Sequence, residues 1–227
     1  MQEFLIALPV LLFSMVAHEY AHGYAALREG DPTALMLGRL TLNPIRHIDP
    51  FMTVLLPLLM FAASGGRVIF GGAKPVPVNP RNYRQYRRGD LIVSSAGIVV
   101  NLALFAVCTA LTIGIGMVGK AAGSSGLLVL LQRMIAWGIW LNVLLAFFNL
   151  IPIPPLDGSH ILYQLLPAEL GARYRQVGRY GAAVLLLVVF VAPGVLYTLL
   201  TPAFRLQAAA CGVVQPWALS PIPVCGP

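Results

Sequence analysis

The sequence predicts an all-α polytopic membrane protein, with about four full transmembrane helices plus a short re-entrant or interfacial helix. Three observations carry this reading. Of 227 residues, 58% are hydrophobic and only 10% charged, where a soluble domain has roughly a quarter charged. Mean hydropathy is +0.80. Apolar runs at 4–27, 91–118, 127–151 and 180–201 each reach the ~20 residues needed to cross a bilayer.

The first run begins Met1-Gln2-Glu3, without a basic leader, and no small-residue cleavage site precedes the polar segment. It therefore reads as a span, not a signal peptide. The run 51–64 is too short to cross, and Pro57 interrupts it, which makes it the re-entrant or interfacial element. Between 28 and 50, Gly30, Pro32, Gly38 and Pro44 stop helix, and 36–42 could form a short strand. In Gly71-Gly72-Ala73-Lys74-Pro75-Val76-Pro77-Val78-Asn79-Pro80 each proline keeps its predecessor extended. That stretch suits one edge of a small β-hairpin, or a plain connecting loop. With no internal repeat or low-complexity linker, 1–227 reads as a single integral-membrane domain ending in a tail, 202–227.

The net charge of +7 does not point to nucleic acid, because no groove-reading motif accompanies it. The basic residues cluster between apolar runs, where topology and lipid headgroups account for them. Arg81, Arg84, Arg87 and Arg88 precede one span, and Arg173, Arg175 and Arg179 precede the last. Such clusters belong on the cytoplasmic side, which puts the N-terminus and the tail outside the cytoplasm. Cys108 lies in an apolar run as a packing residue, whereas Cys211 and Cys225 in the tail could pair in an oxidising compartment.

His18-Glu19-Tyr20-Ala21-His22 is an H-E-x-x-H sequence within the first apolar run. Residues four apart share a helix face, so two imidazoles can bind one zinc with Glu19 beside it. Ionisable side chains at membrane depth are costly, and a functional role is the default reading. Catalytic zinc takes three protein ligands and keeps one position open. Asp157 is the candidate third. It follows a long apolar run and a helix broken by Pro152, Pro154 and Pro155, and freed backbone is tolerated at such depth only inside protein or beside a water-filled cavity.

H-E-x-x-H in one span and Asn149-Leu150-Ile151-Pro152 leading to Asp157-Gly158 after a later one resemble the site-2 proteases, intramembrane zinc metalloproteases. Arg39-Leu40-Thr41-Leu42-Asn43-Pro44, His47-Ile48-Asp49-Pro50 and Ala73 to Asn79 are similar to compact bacterial members without PDZ or CBS domains. Ala96-Gly97 with Asn101 resembles their next helix, although Ile98 stands where these members usually carry proline. The resemblance implies Zn2+ held by His18, His22 and Asp157, with Glu19 as general base. It implies hydrolysis of a peptide bond in or near the transmembrane segment of a single-span substrate, in a bacterial inner membrane, with the site nearer the cytoplasmic face.

Asn101 and Asn149 are candidates for oxyanion or substrate contacts; for Asn101 an interhelical hydrogen bond is the equal alternative. Lys74, Pro75, Val76, Pro77 and Val78 are candidates for strand addition by an unwound substrate. His47, Asp49 and His160 are candidates for supporting the ligands. His47 and Asp49 would alternatively orient their loop, with Asp49 capping the helix that starts at Pro50, and His160 would alternatively start a helix at the membrane surface. Zinc also constrains topology. His18, His22 and Asp157 must share one side, so 91–118 and 127–151 make one excursion and 51–64 enters and leaves on one face. Two other classes compete: an ion transporter or channel using the same polar residues, and a catalytically silent membrane scaffold, against which the intact Glu19 argues.

Overall fold

The computed structural model describes residues 2–55, Leu59 and 72–225. Its helices are α1 (Gln2–Glu29), the single turn α2 (Thr33–Met36), α3 (Tyr86–Ala122), α4 (Gly126–Leu150), α5 (Asp157–Leu165), α6 (Ala168–Val177), α7 (Gly181–Val191) and α8 (Pro193–Val214). Short 3-10 turns lie at Pro44–His47, Pro80–Asn82, Gln215–Trp217 and Pro223–Cys225, and a π-helical turn at Pro50–Leu55. Four stretches are long and apolar enough to span a membrane: Leu5–Glu29, Tyr86–Ala122, Gly126–Leu150 and Ala168–Val191. By contacts the chain forms two compact units, one of Met1–Ser14 with Ile98–Pro227 and one of Met15–Gly97.

In the larger unit, Cys108 of α3, Ala136 and Ile139 of α4, and Ala210 and Val214 of α8 build a buried apolar core with Ile222 and Val224. One polar group is set into this packing. Gln132, 1% exposed, donates to the carbonyls of Thr112 (3.0 Å) and Trp217 (2.9 Å) and accepts from the Leu219 amide (2.8 Å). All three bonds reach outside its own helix, so this side chain fastens the tail to α3 and α4. The tail is held a second time by the Cys211–Cys225 disulfide. Residues 202–214 are thus helix packed on α4, followed by two 3-10 turns. Near the chain start, the Glu3 carboxylate accepts from Arg133 and from Trp137 Nε1 (3.0 Å), which pairs a charge that α4 would otherwise carry alone.

Two expectations are corrected. The last apolar run is not one helix over 180–201: it breaks at Ala192 (φ −124°, ψ 52°), and α8 begins at Pro193. Proline disfavours the α conformation in its predecessor, and Pro193 sits where a helix tolerates it, at the first position. The small β-hairpin is absent among the described residues. Residues 33–36 form a helical turn, and Pro75 and Pro77 strip the 74–78 segment of the donors a ladder needs. The rest of that expected re-entrant run, beyond Leu55, lies outside the described residues apart from Leu59.

In the smaller unit, Ala26 of α1 and Val93 of α3 pack with Tyr83. Asp49 accepts from the Phe51 amide at 2.9 Å, and the Thr53 hydroxyl donates to the Gly72 carbonyl at 2.7 Å. Both bonds tie the π-helical turn to the chain on either side of it.

Gln132→Leu is expected to destabilise the larger unit by about 1–3 kcal/mol, since it leaves the half-buried Leu219 amide and the Trp217 carbonyl without this partner. Thermal unfolding in detergent would show this. Hydrogen exchange should locate the loss at 215–225.

Candidate metal centre

Helix α1 carries His18 and His22 one turn apart, and their Nε2 atoms lie 3.0 Å from each other. Two nitrogens bound tetrahedrally to one zinc at ~2.0–2.1 Å would be roughly 3.3 Å apart. The rings meet edge to face, with centroids 4.6 Å apart and planes at 79°. His18 is buried at 8% exposure.

The direction of His22 is fixed from behind. Its Nδ1 lies 2.7 Å from the Val93 carbonyl of α3. A carbonyl only accepts, so Nδ1 carries the proton and donates, and the lone pair is left on Nε2. This is the outer partner that a metal-binding histidine requires.

Gly97 makes the approach possible. A Cβ there would stand 2.5 Å from His18 Cε1 and 2.6 Å from His22 Nε2. Gly97 is also one turn after Val93, so the missing side chain exposes the carbonyl that His22 uses. The two imidazoles therefore occupy the volume a side chain would fill, and the donor set fits zinc: two nitrogens, converging, one with its tautomer fixed.

Glu19 is half-buried, and its Oε2 accepts from the Val76 amide at 2.7 Å. The structure thus brings together His18, His22, Glu19 and the 74–79 segment. That segment is anchored at one end by Lys74 N donating to the His47 carbonyl (2.8 Å) and by Arg39 donating to the carbonyls of Lys74 (3.0 Å) and Pro75 (3.4 Å). His47 is 2% exposed, with Nε2 on the Thr41 carbonyl at 2.8 Å. The imidazole is thus tied to the backbone of its own loop.

The sequence reading passed over Asp31. Its carboxylate is fully buried and accepts from Thr33 N (3.1 Å), Thr33 Oγ1 (2.5 Å), Asn82 Nδ2 (2.8 Å) and Asn79 N (2.6 Å). Burial acts to raise its pKa, but the bonds from Asn79, Thr33 and Asn82 outweigh it and hold the value below the ordinary 3.8. The local signal was Gly30-Asp31-Pro32-Thr33, an Asp two residues before a backbone amide it can cap.

The remaining predicted residues belong to the larger unit. Asp157 is the first residue of α5, after the proline break. Gly158 is required beside it, because a Cβ would fall 2.1 Å from the Leu150 carbonyl oxygen at the end of α4. His160 is exposed on the first turn of α5. Asn149 donates to the Leu145 carbonyl of its own helix at 3.0 Å, and Asn142 does the same to Gly138 at 2.9 Å. Asn101 differs from both: it is 0% exposed, and neither of its side-chain polar atoms has a hydrogen-bond partner among the described residues.

Comparison with known proteins adds a family. The model of Peptidase family M50 matches residues 113–192. A Bacillus subtilis (strain 168) relative named "Putative zinc metalloprotease YwhC" is 42% identical over 186 residues, covering 81% of this chain and 78% of the relative. "Putative zinc metalloprotease Rip2" of Mycobacterium tuberculosis (strain ATCC 25618 / H37Rv) is 32% identical over 226 residues, covering 95% and 82%. No solved structure matches the chain significantly.

Gly97→Ala is expected to lower zinc affinity by about 10–100-fold, the loss typical when support behind a ligand is disturbed. Metal content after dialysis against a graded chelator would report it without any activity assay.

Proposed function

The chain belongs to peptidase family M50, the site-2 proteases, as a zinc-dependent membrane peptidase, and from that premise we propose that it cleaves a peptide bond within or near the transmembrane segment of a single-span protein. The observation that carries this is the pair of Nε2 atoms 3.0 Å apart on α1, with the carboxylate of Glu19 between the two histidines in sequence.

In this reading His18, His22 and Asp157 hold the zinc. Bound there, the metal supplies Lewis acidity toward a water and toward the scissile carbonyl. Glu19 takes the proton of that water and returns it to the departing amide nitrogen, so one carboxylate serves as base and then acid. Asn101 donates to the developing oxyanion. Its buried and unpartnered amide supports that role, because a purely structural asparagine would back-bond as Asn142 and Asn149 do. The spacing agrees, Asn101 being one turn beyond Gly97 on α3.

A substrate helix hides its amides in its own hydrogen bonds and must unwind to react. The extended 74–78 segment is the candidate docking edge. Lys74 and Val76 already donate within the unit, so a substrate strand would pair with carbonyls here and with the Val78 amide. We place the C-terminal end of α1 at the cytoplasmic face, from Arg28 and the arginines at 81–88. The tail then lies outside the cytoplasm, which suits the Cys211–Cys225 disulfide.

Purified protein tested on single-span substrates decides the mechanism. Glu19→Gln should keep its zinc and lose about 10²–10⁴-fold in rate; normal cleavage would overturn the assignment. His18→Ala, His22→Ala and Asp157→Ala should lose metal and activity together. In a substrate panel, helix-breaking residues near the scissile bond should raise the cleavage rate. Equal rates with and without them would count against docking of an unwound strand.

A further inference from the structure

We propose that Asp31 is a positioning residue for the reaction: it clamps the 74–79 segment in the register that puts the Val76 amide, and no other group, on the Glu19 carboxylate. The inference rests on the reading of Glu19 as general base.

Asp31 stands two residues beyond the end of α1, the helix that carries Glu19. Two of its donors, Thr33 N and Thr33 Oγ1, are local and fix the carboxylate against its own turn. The other two come from far along the chain: Asn79 N on Oδ2 at 2.6 Å and Asn82 Nδ2 on Oδ1 at 2.8 Å. The carboxylate therefore joins the end of α1 to the far end of the proline segment. Arg84 N donating to the Glu29 carbonyl at 2.8 Å closes the same junction from the backbone.

The spacing explains why such a clamp matters. Between the anchor at Lys74 and the anchor at Asn79 the order is Pro75-Val76-Pro77-Val78. Proline has no amide hydrogen, so a one-residue slip would present Pro75 or Pro77 to Glu19 and leave it without a donor. Register decides whether the bond exists. That bond, 2.7 Å to Oε2, fixes the rotation of the carboxylate and leaves Oε1 as the oxygen that meets water. A base that is free to rotate spends time misaligned, and misplacement by ~1 Å can cost about 10²-fold in rate. A carboxylate serving only to end α1 would need its local partners and not Asn79 or Asn82.

The test uses the full-length protein in detergent, with zinc content, kcat and KM measured for each variant against one single-span substrate. Asn82→Ala and Thr33→Val each remove one donor at the rim of the clamp and are expected to lower kcat about 3-fold. Asp31→Asn presents an amide to donors and is expected to lower kcat about 30-fold. In all three, zinc content stays full because the ligands do not change, and the fall in kcat exceeds any rise in KM, because the docking edge keeps its anchor at Lys74 while Glu19 loses its aligned donor. Val76→Pro removes the amide itself and should match Asp31→Asn, and the double variant should be no worse than either alone, since both break one interaction.

Wild-type kcat in Asn82→Ala and Thr33→Val would overturn the proposal, even if the Asp31 and Val76 variants fail to fold. So would loss of zinc alongside activity in those two, because Asp31 would then sustain the histidine pair rather than the carboxylate. Additive losses in the double variant would overturn it as well. Full activity in Glu19→Gln removes the premise and the inference together, whereas an inactive Glu19→Gln beside a fully active Asp31→Asn removes the inference alone.

Discussion

A histidine on an apolar helix becomes a useful metal ligand only when one ring nitrogen is committed elsewhere, and the Val93 carbonyl makes that commitment for His22. The bond needs a carbonyl that is exposed on the side of a helix, which regular side chains prevent. Gly97, one turn on, removes the obstruction and gives both imidazoles their volume. One absent side chain on α3 thus fixes the tautomer of one imidazole and the packing of two. The remainder of the smaller unit brings a carboxylate and an extended segment up to this pair.

Polar groups throughout the chain follow the same economy. Gln132 satisfies its amide with backbone from α3 and from the tail, Glu3 is matched by Arg133 and Trp137, and Asp31 by four donors. In a low-dielectric interior an unpaired group is costly. Asn101 is one residue that departs from this pattern, with both side-chain polar atoms lacking a hydrogen-bond partner among the described residues, and a buried amide of that kind suits a contact made only when substrate is bound. An ion path built from the same residues would leave the H-E-x-x-H spacing unexplained, and family membership supports the peptidase reading over it.

Much of this was legible in the sequence because it depends on local pattern. Apolar run length located three of the four spans closely but put the last at 180–201, where the stretch is Ala168–Val191, and the H-E-x-x-H spacing named the histidine pair. Pro152, Pro154 and Pro155 marked where α4 ends and Asp157 begins a new helix. Features set by distant partners were not legible. Nothing around residue 31 announces that its carboxylate meets Asn79 and Asn82, and nothing near Gln132 announces Trp217. The expected strand failed for a related reason: extended backbone was read correctly over 74–78, but its amides go to His47 and Glu19 rather than to a neighbouring strand. The break at Ala192 was visible in Pro193, yet the high apolarity of the run on both sides hid it.

The alternation of prolines around Val76 also bears on how this segment can diverge among relatives. Side chains at 75 and 77 contribute a ring and an absent hydrogen, while the group that meets Glu19 at 76 belongs to the backbone, its side chain being buried beside Gly23. Substitution at 76 by a small apolar residue that fits the buried space beside Gly23 therefore preserves the contact, but insertion or deletion of one residue between 74 and 79 does not. Relatives should therefore keep the number of residues between 74 and 79 more strictly than the identity of the side chains there.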